Sequence, residues 1–93
     1  SRLTFEPPDR ETFRLLDLAY AACNRGGSMP VVLNAANEAA VALFLDGTIG
    51  FLDIAERVEK CLNKHEASGF VTGFSFDDMI ELDRWARDFV KEL

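Results

Sequence analysis

The sequence predicts an all-α domain, an antiparallel four-helix bundle-like fold behind an extended N-terminal arm. Four segments place apolar residues at helical spacing, and each ends in its own stop signal. No run alternates apolar and polar residues for long enough to make a secure strand. The chain has 93 residues, which allows one core with an expected radius of gyration of ~12 Å.

Residues 1–8 read as an arm or linker. Leu3-Thr4-Phe5-Glu6 alternates only briefly, and Pro7-Pro8 forces extended backbone. Residues 9–93 form the helical domain. Asp9 is the expected N-cap of the first helix, with Glu11 placed where the helix dipole favours negative charge. Phe13, Leu16, Tyr20 and Cys23 make its expected inward stripe, widened by Leu15, Leu18, Ala19 and Ala22. Arg25-Gly26-Gly27 stops it. Ser28 then reads as the N-cap of a second helix with Pro30 in its first turn. That helix runs to about Leu45, with Gly47 as its stop. It is apolar almost all round, which suits the middle of a bundle or a position under another domain.

The third helix follows Ile49-Gly50 and turns Phe51, Ile54, Ala55, Val58, Cys61, Leu62 and His65 inward. Asp53 with Arg57, and Glu56 with Lys60, are i,i+4 pairs on its wet side. Residues 67–74 are a connector whose Phe70, Val71 and Phe74 are expected to tuck onto the core. Ser75 with Asp78 reads as a capping-box-like start of the fourth helix. Met79, Leu82, Ala86, Phe89, Val90 and Leu93 are its expected inward residues, and Asp83 with Arg87 is an outward pair. There is no internal repeat and no low-complexity tract.

Composition excludes several function classes. The formal charge is -6, from 16 acidic and 10 basic residues, which disfavours nucleic acid and anionic membrane surfaces as partners. No apolar run approaches the ~18 residues that a membrane span needs. Two cysteines make no disulfide scaffold, and a single histidine leaves little for a His-based metal site or a Ser-His-Asp triad. The chain opens on Ser1-Arg2 rather than Met, either an added scar or an internal start, and composition points to a fragment or a binding module rather than a complete enzyme.

The most informative polar string is Asn34-Ala35-Ala36-Asn37-Glu38. Residues 34, 37 and 38 share one helix face. A hydrogen-bond network tying this helix to a neighbour is the favoured reading, because buried unpaired polar groups cost roughly 1–3 kcal/mol. A substrate or metal contact would need a second carboxylate or a histidine nearby. Cys23 and Cys61 read as two buried thiols. A Cys61–His65 nucleophile pair lacks an orienting third residue and an oxyanion hole. His65 is explained by the C-terminal dipole of its helix. The acids Asp77, Asp78, Glu81 and Asp83 read as a solvated helix start. Trp85 is either core or an anchor for a partner. No phosphate-binding glycine loop is present. No residue of the chain is assigned to a catalytic, cofactor-binding or metal site.

Several strings together carry a resemblance. They are Leu3-Thr4-Phe5-Glu6-Pro7-Pro8-Asp9, then Gly26-Gly27-Ser28-Met29-Pro30 continuing through Asn34-Ala35-Ala36-Asn37-Glu38-Ala39-Ala40-Val41. Phe44-Leu45-Asp46-Gly47, Ile49-Gly50-Phe51-Leu52-Asp53-Ile54 and Asp83-Arg84-Trp85-Ala86-Arg87 follow. In this order the chain resembles the C-terminal helical domain of 1-deoxy-D-xylulose 5-phosphate reductoisomerases. It departs from the family's frequent pattern at Arg14, where proline is common. The resemblance implies a non-catalytic structural domain of an NADPH-dependent enzyme that makes 2-C-methyl-D-erythritol 4-phosphate on the non-mevalonate route to isoprenoids. It implies NADPH and a divalent cation, Mg or Mn, bound by other parts of the parent. Its implied partners are the catalytic and NADPH-binding domains of the same chain, in a homodimeric parent. The implied location is the cytoplasm of a bacterium, or the plastid of a plant. The alternative is a free-standing helical interaction module without catalysis.

Overall fold

The computed structural model describes the backbone of residues 6–69 and 73–93, and the side chains of residues 12–69 and 73–93. Four helices follow in order: α1 (Glu6–Arg25), α2 (Met29–Leu45), α3 (Leu52–Ser68) and α4 (Phe76–Glu92). There is no strand among the described residues. The all-α class is as the periodicity predicts.

The stops and starts are local chemistry. Gly26, Gly27 and Gly47 carry φ of 72°, 56° and 87°, a region that other L residues enter only at a cost. Gly26 N donates to Ala22 O at 3.0 Å, so the chain turns while the last carbonyls of α1 stay bonded. Ser75 and Asp78 form the expected capping box. Asp78 N donates to Ser75 Oγ, and Ser75 N donates to Asp78 Oδ2, both at 3.1 Å. Between α2 and α3, Asp46 Oδ1 accepts from Thr48 N and Thr48 Oγ1, and Asp53 Oδ2 accepts from Gly50 N at 2.9 Å.

Two starts differ from expectation. The first helix begins at Glu6, so Asp9 lies inside it and is not its N-cap. Pro7 and Pro8 are the second and third helical residues. The N–H groups of a first turn have no intrahelical partner, so proline is tolerated there and does not end the helix. Of the expected arm, residues 1–5 lie outside the described residues, and so do Phe70 and Val71 of the connector. The second difference is Ser28. It precedes α2 as expected, but its backbone is helical and its hydroxyl makes no capping bond.

α2 is the centre of the domain. It packs against α1, α3 and α4, while α1 and α4 make no contact with each other among the described residues. Its Val32, Ala35, Ala36 and Ala40 are fully buried. Small residues let the neighbouring backbones approach closely, and that explains the alanine run. α3 supplies Ile54, Ala55, Val58, Cys61 and Leu62, and α4 supplies Ala86 and Val90. Burying a valine fully stabilises by about 1.5 kcal/mol or more, so Val32, Val58 and Val90 carry much of the core. Contacts run from Ser28, just before α2, to His65 near the end of α3, and from Phe44 near the end of α2 to Phe51, just before α3; between α3 and α4 they run Arg57–Val90 and Cys61–Ala86. In both sets one number rises as the other falls, the sense expected of consecutive antiparallel helices. The radius of gyration is 13.8 Å, above the ~12 Å of a compact domain of this length. Two helices flanking a central pair give a flat, elongated body.

Two inward stripes are corrected. On α1, Phe13, Leu16 and Tyr20 are exposed, as is Cys23, and the face toward the core is Leu15, Leu18, Ala19 and Ala22. Those four stand at i, i+3, i+4, i+7, a regular helical stripe. Against the alanine-rich α2 this slimmer stripe allows close packing, and the bulky one is left outside. On α4, Met79 and Leu93 are exposed, while Leu82, Trp85 and Phe89 pack against the core beside Ala86 and Val90. Phe51 of the α2–α3 corner is also exposed. Glu56 and Lys60 pair at 3.2 Å. Arg57 instead donates to the Val90 carbonyl at 2.7 Å, and Asp53 serves the start of α3.

Candidate functional site

The outer face of α2 is where polar chemistry meets open space. Asn34, Asn37 and Glu38 do lie on one face, but they are exposed and form no buried network. Glu38 Oε1 accepts from Arg87 Nη2 at 2.7 Å, and Asp83 takes Arg87 Nε at 2.8 Å. This triad joins α2 to α4 and holds the guanidinium firmly in its charged form, first through Asp83 and then Glu38. Neither the Asn34 nor the Asn37 side chain forms a hydrogen bond among the described residues. The helical pattern was legible, but the sequence did not show that this face of a nearly all-apolar helix points outward.

Two grooves flank these amides. One, of about 300 Å³, lies between α1 and α2 and is lined by Thr12, Leu15, Leu16, Ala19, Leu33, Asn34 and Asn37. The other, of about 290 Å³, lies between α2 and α4 and is lined by Val31, Asn34, Met79, Ile80 and Asp83. Asn34 stands on the ridge that both share. Outside the grooves, Phe13 and Tyr20 are 63% and 69% exposed.

A second polar feature is internal. His65 is only 2% exposed, and its Nε2 lies 2.6 Å from Ser28 Oγ, which is fully buried. The imidazole also packs against Trp85, with ring centroids 5.7 Å apart, and Trp85 continues to Phe89 at 5.3 Å. This half-buried Trp85 is therefore part of the core cluster. Burial holds the His65 pKa below its ordinary 6.5, against a smaller opposing pull from Glu66. The helix dipole is thus not what places this histidine: the pair bridges the α1–α2 turn and the end of α3. Two residues 37 positions apart leave no spacing signal to read, so the sequence missed this pair. Sealed in the core, it offers no nucleophile to a substrate.

The remaining candidates are structural. Cys61 is fully buried, and desolvation pushes its thiol up to about 12. Cys23 is exposed, against expectation, because it belongs to the outer stripe of α1. Asp78 is occupied by its capping box and Asp83 by Arg87. Among the described residues no group of three or more His, Cys, Asp or Glu side chains could hold a metal ion. Arg14 reaches Glu59 at 2.5 Å, and Arg25 forks onto Glu66, tying α1 to α3.

The geometry defines a small all-α domain with unpaired amides and apolar grooves on its outer face and no assembled reacting groups among the described residues. The family described as "DXP reductoisomerase C-terminal domain" matches residues 1–89, and the chain belongs to it. Among curated relatives, the 1-deoxy-D-xylulose 5-phosphate reductoisomerase of Chlorobium chlorochromatii is 54% identical over 89 residues, covering 96% of this chain and 22% of the relative. The enzyme of Acetivibrio thermocellus is 50% identical over 91 residues, covering 98% and 23%. That of Clostridium botulinum is 48% identical over 93 residues, covering 100% and 24%. The chain thus spans under a quarter of the length of these relatives. No solved structure gives a significant match.

Proposed function

We propose that this domain is the C-terminal structural part of a 1-deoxy-D-xylulose 5-phosphate reductoisomerase. In this reading the parent converts that substrate to 2-C-methyl-D-erythritol 4-phosphate with NADPH and a divalent cation. The single observation that supports it is the match of nearly the whole chain to the C-terminal quarter of enzymes carrying that name. The residues present do not fit either cofactor. No glycine-rich phosphate loop occurs in the sequence, and the described residues assemble no cation-ligand group. Both belong to the rest of the parent. The domain's own work is to pack against the catalytic and NADPH-binding domains of its chain, in a homodimeric enzyme of the bacterial cytoplasm.

The alternative of a free-standing interaction module has less support, since the relatives are about four times as long as this chain. The test is NADPH oxidation by the full-length protein with 1-deoxy-D-xylulose 5-phosphate and Mg or Mn. Turnover that requires all three components supports the reading. A full-length protein that folds but does not oxidise NADPH under those conditions refutes it.

A further inference from the structure

Two exposed apolar surfaces remain on the described domain. One is the α2–α3 corner, with Phe44, Leu45, Phe51 and Leu52. Phe44 and Phe51 meet edge-on there at 5.7 Å, and the polar neighbours Asp46 and Thr48 bond each other. The other is the outer face of α1, α2 and α4. On it Phe13, Leu16 and Tyr20 line up at i, i+3 and i+7, and Phe76, Met79 and Ile80 form the opposite bank. Exposed apolar side chains gathered on one face mark an interaction surface.

We propose that the outer face, not the corner, is where the preceding domains of the same polypeptide dock, with Asn34 and Asn37 as the hydrogen-bonding contacts. This rests on the reading of the chain as part of a longer reductoisomerase. More than three quarters of the relatives' length lies outside this chain, which supplies a covalently tethered partner at high effective concentration. The face has the chemistry to receive a polypeptide. Each amide carries an acceptor and two donors, matching the C=O and N–H of a peptide group. The grooves on either side of Asn34 take apolar side chains. Beside Asn34 and Asn37, Glu38 and Asp83 are both paired with Arg87, so the centre of the contact is built from uncharged groups, as interface centres are. The corner offers apolar side chains alone.

Hydroxyl-radical footprinting of the full-length enzyme tests this, with each rate compared with the intrinsic reactivity of its residue type. Phe13, Tyr20, Phe76 and Met79 are expected to label about fivefold or more slowly than intrinsic, as expected when an interface centre excludes water. Leu45 and Leu52 are expected to label within about twofold of intrinsic, as exposed side chains do. Protection of Leu45 and Leu52 with free labelling of the other four would overturn the choice of face and leave docking itself intact. Free labelling of both sets would overturn docking as well, even in an enzyme that turns over substrate. Protection of the outer face that disappears on dilution to monomer would assign it to a second copy and overturn the proposal.

Discussion

Replacing Ser28 with alanine should destabilise this domain by removing its contact with His65. Ser28 Oγ and His65 Nε2 are 2.6 Å apart, with both residues inside the core. Whichever atom carries the bridging hydrogen, Ser28→Ala removes this hydroxyl from a buried imidazole. Losing a buried hydrogen-bond partner costs about 1–3 kcal/mol. The missing oxygen leaves little void, so the cavity contribution is small. For a domain of this size each kcal/mol lowers Tm by about 4–8 °C, so a fall of roughly 4–24 °C is expected. Thermal and urea unfolding followed by helical circular dichroism measure it. A double-mutant cycle with His65→Phe isolates the pair. Its coupling energy should lie between about 0.5 and 3 kcal/mol, the range for contacting residues. A Ser28→Ala variant that melts with the parent, or a cycle that closes to zero, would refute the role given to this pair.

The same histidine sets a pH dependence. Its folded pKa is lowered below 6.5 by burial, so the unfolded chain takes up the proton first as pH falls. Its contribution is complete above pH 6.5 and is lost as pH drops from there toward the folded value, with a slope of up to about 1.4 kcal/mol per unit. Urea midpoints between pH 7.5 and 5.0 should fall in the parent and flatten in His65→Phe. A thiol reagent at neutral pH should modify exposed Cys23 and spare Cys61, which is buried and whose thiol desolvation pushes up to about 12. Equal labelling in the folded protein would contradict the packing of α3. In the full-length enzyme, Trp85→Ala should lower stability by about 2 kcal/mol, part of the cost of a fully buried tryptophan. Its kcat per folded molecule should fall less than about tenfold. A thousandfold loss with an unchanged melt would place the domain in the active site.

The local signals of the chain were enough for most of its architecture. Gly26-Gly27, Asp46-Gly47 and the Ser75–Asp78 box end or start helices by their own backbone geometry, and they stand where expected. Ser28 misled because its hydroxyl has a competing partner on α3, and Pro7-Pro8 misled because a helix start tolerates proline. The likeness of the whole chain to a C-terminal domain was legible as well, in the order of its strings. Which face goes inward was not. α1 carries two apolar stripes one residue apart, and α2 is apolar almost all round. Periodicity alone then has no preferred direction. Tertiary packing chose: the alanines of α2 accept the slim stripe of Leu15, Leu18, Ala19 and Ala22 at close range, which leaves Phe13, Leu16 and Tyr20 outside. Three helices around α2 cover all but one of its sides, and Asn34, Asn37 and Glu38 occupy that side. A stripe's spacing is a property of one helix, while its burial depends on the size of whatever packs against it.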